Sequence, residues 1–269
     1  MVVKTIFRTN LLFLRGNLKK HTKKINYYSI SMKKTILSIV FLTVGIIITE
    51  HLFAQNIQLH YDFGKSIYSN EESERQKVTV TLEHFNVDNW GSWYYFVDVD
   101  LGRKFVEGAY TEISREFKLG AKSPFAAHLE YNGGLNRFGS FQQAALVGGA
   151  WNGHNSDFSA TYSIQVLYKQ FFKSYETTHA YSSAQLTGVW SLTFANKKCT
   201  FSGFFDLWRG EKENHHGCLV FLSEPQFWYN VTEHFSLGGE VEISNNFIYN
   251  TYNEKKFFVN PTLAVKWKF

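Results

Sequence analysis

Proline and cysteine are scarce, and long apolar runs are missing from most of the chain. Only 3 prolines and 2 cysteines occur in 269 residues. So few prolines leave many segments free to pair as strands. No apolar run of about 18 residues follows Ala54, which excludes spanning helices there. If the chain crosses a membrane, it does so as a closed barrel, because lipid offers no partner for unpaired backbone groups. No Gly-x-Ser-x-Gly, Walker loop or zinc-type cysteine pair occurs. His215-His216 lacks a third ligand at useful spacing, and Asp98-x-Asp100 reads as a carboxylate pair on one strand face. We therefore expect no catalytic residues, no metal and no cofactor. An enzyme remains as an alternative through His128 and Glu130, which share a face, but no serine is committed to them.

Basic charge is also missing where it would matter. The chain carries 28 Lys+Arg against 23 Asp+Glu, net +5. Residues 1–54 hold 9 of the basic and 1 of the acidic residues, leaving 19 against 22, net −3. The basic balance belongs to the leader and argues against a nucleic-acid polymer as partner. Met32 to Gln55 has a short basic start (Lys33, Lys34), an apolar centre and a Leu52-Phe53-Ala54 exit. This is the pattern of a secretory signal peptide at 32–54, too short to anchor a membrane helix. No cysteine near the exit marks a lipoprotein. Residues 1–31 are expected to be either an upstream extension, with Met32 the true start, or a long basic n-region.

What is abundant is aromatic residues: 26 Phe, 15 Tyr and 7 Trp. They fall in alternating runs. The last, Phe257 to Phe269, reads FFVNPTLAVKWKF, with Phe257, Val259, Pro261, Leu263, Val265, Trp267 and Phe269 on one face. A period of two is that of a half-buried strand. An exposed terminal aromatic suits a membrane interface better than water. The last strand of a soluble barrel or sandwich is the alternative. The ending resembles the signal by which outer-membrane barrels are handed to the barrel-assembly machinery, which makes Phe269 the expected contact.

Twelve such strands are expected: 56–63, 77–87, 92–101, 108–119, 125–133, 141–151, 157–170, 180–194, 199–208, 217–229, 235–246 and 257–269. Short turns follow every second strand and longer polar loops the others, as in outer-membrane barrels. The apolar face is aromatic at its ends and aliphatic between. We expect an all-β fold: one twelve-stranded antiparallel transmembrane β-barrel over 55–269. It would be monomeric, sit in the outer membrane of a Gram-negative cell, and contact lipid and lipopolysaccharide. Cys199 and Cys218 fall at opposite ends of a hairpin, too far apart for a disulfide, and are expected free on the apolar face. Arg115 interrupts the apolar face of its strand.

The polar face should line the lumen. The candidate pore-lining or substrate-binding residues are Glu83, Tyr94, Phe96, Asp98, Asp100, Glu112, Glu116, His128 and Glu130. Carboxylates crowded on successive strands must pair, bind a cation or protonate. Ring faces beside them suit neutral or cationic solutes bearing rings and hydroxyls. The simpler reading is that these charges only stabilise the interior. Charge and pattern point to a channel for a small-molecule solute. A non-conducting structural or adhesive barrel is the alternative, and a barrel enzyme acting on lipids a further one.

The runs TVTLEHFNVDNWGSWYYFVDVDLG (Thr79 to Gly102) and GAYTEISREFKLG (Gly108 to Gly120), with the terminal aromatic strand, resemble the Tsx-like family of nucleoside-specific channel-forming porins. The shared pattern is a hairpin with an Asp/Asn-Trp turn, a Tyr/Phe-rich return strand carrying Asp, and a strand with Glu at alternate positions. It covers the first third of the mature chain and the last strand. The resemblance implies a narrow barrel that admits nucleosides or similar small solutes.

Overall fold

The computed structural model describes residues 55–103, 105–137, 139–173, 179–211, 217–248 and 256–269. The signal-peptide reading and the His215-His216 pair lie outside them.

Aromatic and β-branched residues at alternate positions favour extended backbone. The chain forms β1 (Asn56–Asp62), α1 (Gly64–Ile67), β2 (Val78–Val87), β3 (Gly91–Gly102), β4 (Phe105–Lys118), β5 (Phe125–Asn136) and β6 (Gly139–Ser140). It continues as β7 (Ala144–His154), β8 (Ala160–Phe171), β9 (Tyr181–Phe194), β10 (Cys199–Glu211), β11 (Gly217–Ser223), β12 (Gln226–Asn230), β13 (Phe235–Asn245) and β14 (Phe257–Lys268). Each long strand pairs antiparallel with its chain neighbours, and β1 pairs with β14. β11 and β12 together make one wall strand between β10 and β13. The result is the expected closed barrel of twelve antiparallel strands.

Several expectations change. The stretch Gly217 to Tyr229 is two strands, not one, because Pro225 cannot donate to a ladder. The carbonyl of Glu224 turns toward Gly203, where a Cβ would lie 2.5 Å from it, so only glycine fits. The expected loop 102–107 is largely strand, since Gly102 pairs with Phe105 across a register shift at Asp100/Leu101. β8 starts at Ala160, because Asp157 folds back to bond the Ser159 amide and hydroxyl (3.2 and 2.9 Å). Both cysteines are free. Their register partners, Tyr229 for Cys199 and Gly210 for Cys218, put them at opposite ends of the hairpin. Cys199 faces outward, but Cys218 shares the inward face with Val220.

The barrel exterior is apolar. Leu59, Leu129, Val147, Val166 and Leu263 are exposed along its middle. Trp93, Phe117, Trp151, Phe194 and Trp267 ring the end with short turns, and Tyr61, Phe63 and Phe257 the other. An aliphatic band between aromatic girdles is the exterior of an outer-membrane barrel, with short turns toward the periplasm. Arg115 belongs to this girdle. Its guanidinium lies 4.8 Å from the Trp93 ring centroid and 5.1 Å from that of Phe117, and bonds Asp88 at 2.8 Å. Its charge is thus covered on the apolar side and paired on the wet side.

Parts of the inward face are packed. Ala144, Leu146, Leu167 and Phe171 form an apolar cluster against Tyr181 and Trp208. Trp228 is 1% exposed, with His60 edge-on at 6.0 Å and the Lys266 ammonium 3.9 Å from its ring centroid. Trp228→Ala should cost about 3–5 kcal/mol, read as a lower urea midpoint in a heat-modifiable gel-shift assay. An unchanged midpoint would mean that this ring is not a packing centre.

The Asp88 carboxyl is held at about 2 by its bond from Arg115, aided by the Trp90 and Gly91 amides, against an ordinary 3.8. A depressed carboxyl adds stability above its ordinary pKa and loses it as pH falls through the depressed one. Wild type should therefore lose heat resistance relative to Asp88→Asn between pH 3.8 and about 2. A wild-type minus variant difference that stays flat across this window would contradict the pair.

Candidate functional site

Alternation turns every second side chain inward, and register decides which of them meet. All nine sequence-predicted residues face the interior. Glu83 on β2 accepts bonds from Asn56 (3.0 Å), Gln58 (2.9 Å) and the Tyr94 hydroxyl (3.2 Å). Asp98 and Asp100 on β3 take the Thr81 and Thr79 hydroxyls at 2.5 and 2.8 Å. Glu112 on β4 takes the Tyr110 hydroxyl at 2.8 Å. Glu116 and Glu130 share His128, on Nδ1 at 3.3 Å and Nε2 at 3.0 Å, and Asn152 donates to Glu116 at 2.7 Å. The crowded wall is thus relieved mainly by hydroxyl, amide and imidazole donors.

Aromatic rings run beside these carboxylates. Tyr94, Phe96, Tyr110 and Phe141 follow one another with centroids 6.1 Å apart at each step. Tyr110 was missed by the sequence reading, although its place two residues before Glu112 carried the signal. Phe141 opens the expected strand 141–151, but β7 starts only at Ala144, so Phe141 sits between β6 and β7 and its facing does not follow from alternation.

Further round the barrel stand groups that the first wall lacks. Lys169 on β8 donates to Gln185 at 2.7 Å and lies over the rings of Trp208 (4.5 Å) and Phe171 (5.1 Å). Asp206 on β10 accepts a short bond from Thr187. Lys169 stands two strands from Glu130 in one register row, Glu130–Leu146–Lys169, and lies in the fields of Asp206 and Glu112 as well. Glu224, at the break between β11 and β12, faces the fields of Glu240, Glu242, Asp98 and Glu112. It too escaped the sequence reading, since it sits where alternation fails. His60 contacts Gln58 (3.0 Å), Thr262 (3.1 Å) and Glu240 (3.5 Å).

The β1–β2 connection folds over the end of the barrel opposite the short turns. Its Arg75 reaches Asp62 at 2.8 Å and Glu242 at 3.1 Å. Its Glu72 accepts from Asn260 at 2.8 Å, and Tyr68 packs edge-on against Phe258 at 5.2 Å. None of these contacts is visible in a period of two. A recess of about 590 Å³, lined by Trp93, Ile113, Leu129, Val147 and Tyr168 among others, opens on the lipid-facing side and is no part of a solute path. Among the described residues, no three His, Cys, Asp or Glu side chains are grouped to hold a metal ion.

Among solved structures, the chain is similar to the NanC porin at 12% identity and a TM-score of 0.49, covering 80% of this chain and 98% of that one. It is similar to the KdgM porin in complex with disordered oligogalacturonate at 11% identity and 0.44, with 80% and 98% covered. It is also similar to LpxR from Salmonella typhimurium at 6% identity and 0.42, with 80% and 100% covered. Likenesses this distant bring no substrate to this chain. No curated protein sequence matches it. Residues 54–269 match the family described as Domain of unknown function (DUF5020), and the chain belongs to that family.

Proposed function

We propose that the barrel is a narrow, passive outer-membrane channel for small solutes, with cation preference. The observation that carries this reading is the pair of facing acidic walls. Asp98, Glu112 and Glu130 project from one side and Asp206, Glu224 and Glu240 from the other, within reach of each other's fields. Few cations offset them, so a positive or neutral solute meets less resistance than an anion. The finer part of the proposal is the cargo: nucleosides or similar ring-bearing, hydroxylated molecules. The ring ladder from Tyr94 to Phe141 offers stacking faces, and the carboxylates beside it accept hydroxyl protons. The likeness of Thr79–Gly120 to nucleoside channels supports the same cargo. The barrel would act as a monomer in lipid and lipopolysaccharide, delivered by the assembly machinery through the strand ending in Phe269.

Catalysis is not part of the proposal. Both ring nitrogens of His128 are engaged by carboxylates. Neither is left to take a proton from a nucleophile, as a hydrolytic triad requires. A second reading, a barrel closed to solutes, is favoured by the buried connection over the mouth, where Glu72 is 4% and Asn260 0% exposed.

Purified protein in planar bilayers separates the two, since a closed barrel shows no conductance steps. In a salt gradient the wild-type reversal potential should report cation preference. Asp98→Asn with Glu112→Gln should lower the cation-to-anion permeability ratio by about twofold or more and weaken block by adenosine or thymidine, with the gel shift unchanged. Anion preference in wild type would overturn the acidic-wall reading. Equal block by a free sugar or an amino acid would overturn the nucleoside cargo.

A further inference from the structure

The connection over the mouth contains an acid–amide pair that is short of one proton. Asn260 on β14 uses both amide hydrogens, one toward Glu72 Oε1 (2.8 Å) and one toward Glu242 Oε1 (3.1 Å). Those two bonds fix which end of the carboxamide is nitrogen. The remaining oxygens, Glu72 Oε2 and Asn260 Oδ1, are shut off from water and have no hydrogen-bond donor. They converge over the bare Cα of Gly64, 2.7 and 2.6 Å from where a Cβ would stand. Two buried acceptors facing each other without a donor are costly. A single proton on Glu72 satisfies both, closing a two-bond ring between a carboxylic acid and a primary amide.

We propose that residues 63–77 form a lid over the extracellular mouth, latched by a proton on Glu72 shared with Asn260 and released when that proton leaves. The charged groups around Glu72 agree. Its own segment supplies Arg75, whose Nη1 lies 3.9 Å from Oε1. β1 supplies Asp62 and β13 supplies Glu242, and Arg75 is already bonded to both. An ionised Glu72 would be a third carboxylate on one guanidinium. Burial raises the Glu72 carboxyl above its ordinary 4.5, against the pull of Arg75 and the Asn260 bond. The closed lid therefore holds the proton more tightly than an open one. Closure is favoured at low pH and weakens as pH rises from 4.5 through the raised value. Arg75 still ties the segment to Asp62 and Glu242 in the released state, which makes the device a loosening hinge.

The latch does not require that the barrel conduct, whereas its control of solute rests on the channel reading. Two measurements keep these apart. Hydrogen exchange of the amides at Tyr68 and Glu72, bonded to the carbonyls of Gly64 and Tyr68, reports the lid directly. At about pH 8 these amides should exchange roughly threefold or more faster in wild type than in Glu72→Gln, whose amide can donate to Asn260 Oδ1 without titrating. At about pH 4, below the ordinary 4.5 of a glutamate, the two proteins should agree. Bilayer conductance of wild type should rise by a similar factor between these pH values, while Glu72→Gln stays low and Glu72→Ala stays high. Equal exchange in wild type and Glu72→Gln at both pH values would overturn the latch. Exchange that follows the prediction while Glu72→Ala conducts at neither pH would keep the latch and overturn the channel.

Discussion

Register pairs between Asn56–Asp62 and Thr262–Lys268 join the first strand to the last. Without them the sheet would have two long edges, and every unpaired amide on those edges would face lipid. The Phe269 amide bonds the Gln55 carbonyl at 3.1 Å, so the seam runs to the end of the described chain. Closure also fixes which residues face inward, since a slip of one residue on any strand would turn its apolar face into the lumen. The seam strand β1 shows how strict this is. Asn56, Gln58, His60 and Asp62 are all buried inside, and Leu59 and Tyr61 are exposed outside.

Closure creates the electrostatic problem that the interior then solves. Strands about 4.8 Å apart bring inward carboxylates close together. The solution combines neutral and cationic donors: threonine hydroxyls on Asp98 and Asp100, a tyrosine on Glu112, and a His128 ring that needs a proton on each nitrogen to bridge Glu116 and Glu130 as an imidazolium. The lysines are placed differently. Lys169 and Lys266 lie over tryptophan rings, so each ammonium has a quadrupole beneath it and carboxylates within its field. Ring and ammonium together fill space that a bare lysine would leave to water.

The barrel was legible in the sequence because one rule, alternation, governs both faces of every strand. Alternation placed Glu83 through Glu130 correctly and set Cys199 and Cys218 at opposite ends of their hairpin. It misjudged the face of Cys218, which pairs with Gly210 and so shares the inward parity of Asp206, Leu222 and Val220. It made Arg115 look like a defect, since its partner Asp88 lies in a turn and its covering rings lie on two strands. It was wrong or silent wherever the chain leaves the lattice, as at the start of the expected strand 141–151 and in the middle of 217–229. Glu224 follows from a proline break, Phe141 from a short connection, and Glu72 and Arg75 from a loop folded inward. Which inward groups on distant strands come near one another, such as Glu116 on β4 and Gln165 on β8, depends on barrel size and shear, which no single strand encodes.

The residues the sequence did not reveal are concentrated where selectivity and access would be set. On strands, a side chain's direction is fixed by parity, so evolution can change its chemistry but not its aim. At Glu224 and along 63–77 the backbone is free of parity, and a carboxylate or guanidinium can be aimed along or across the pore axis. Arg75 illustrates the gain: one side chain from a loop reaches β1 and β13, which lie on either side of β14. The scaffold thus supplies a fixed acidic tube. Departures from the scaffold, at Glu224 and Arg75, place charged groups where alternation along a strand would not.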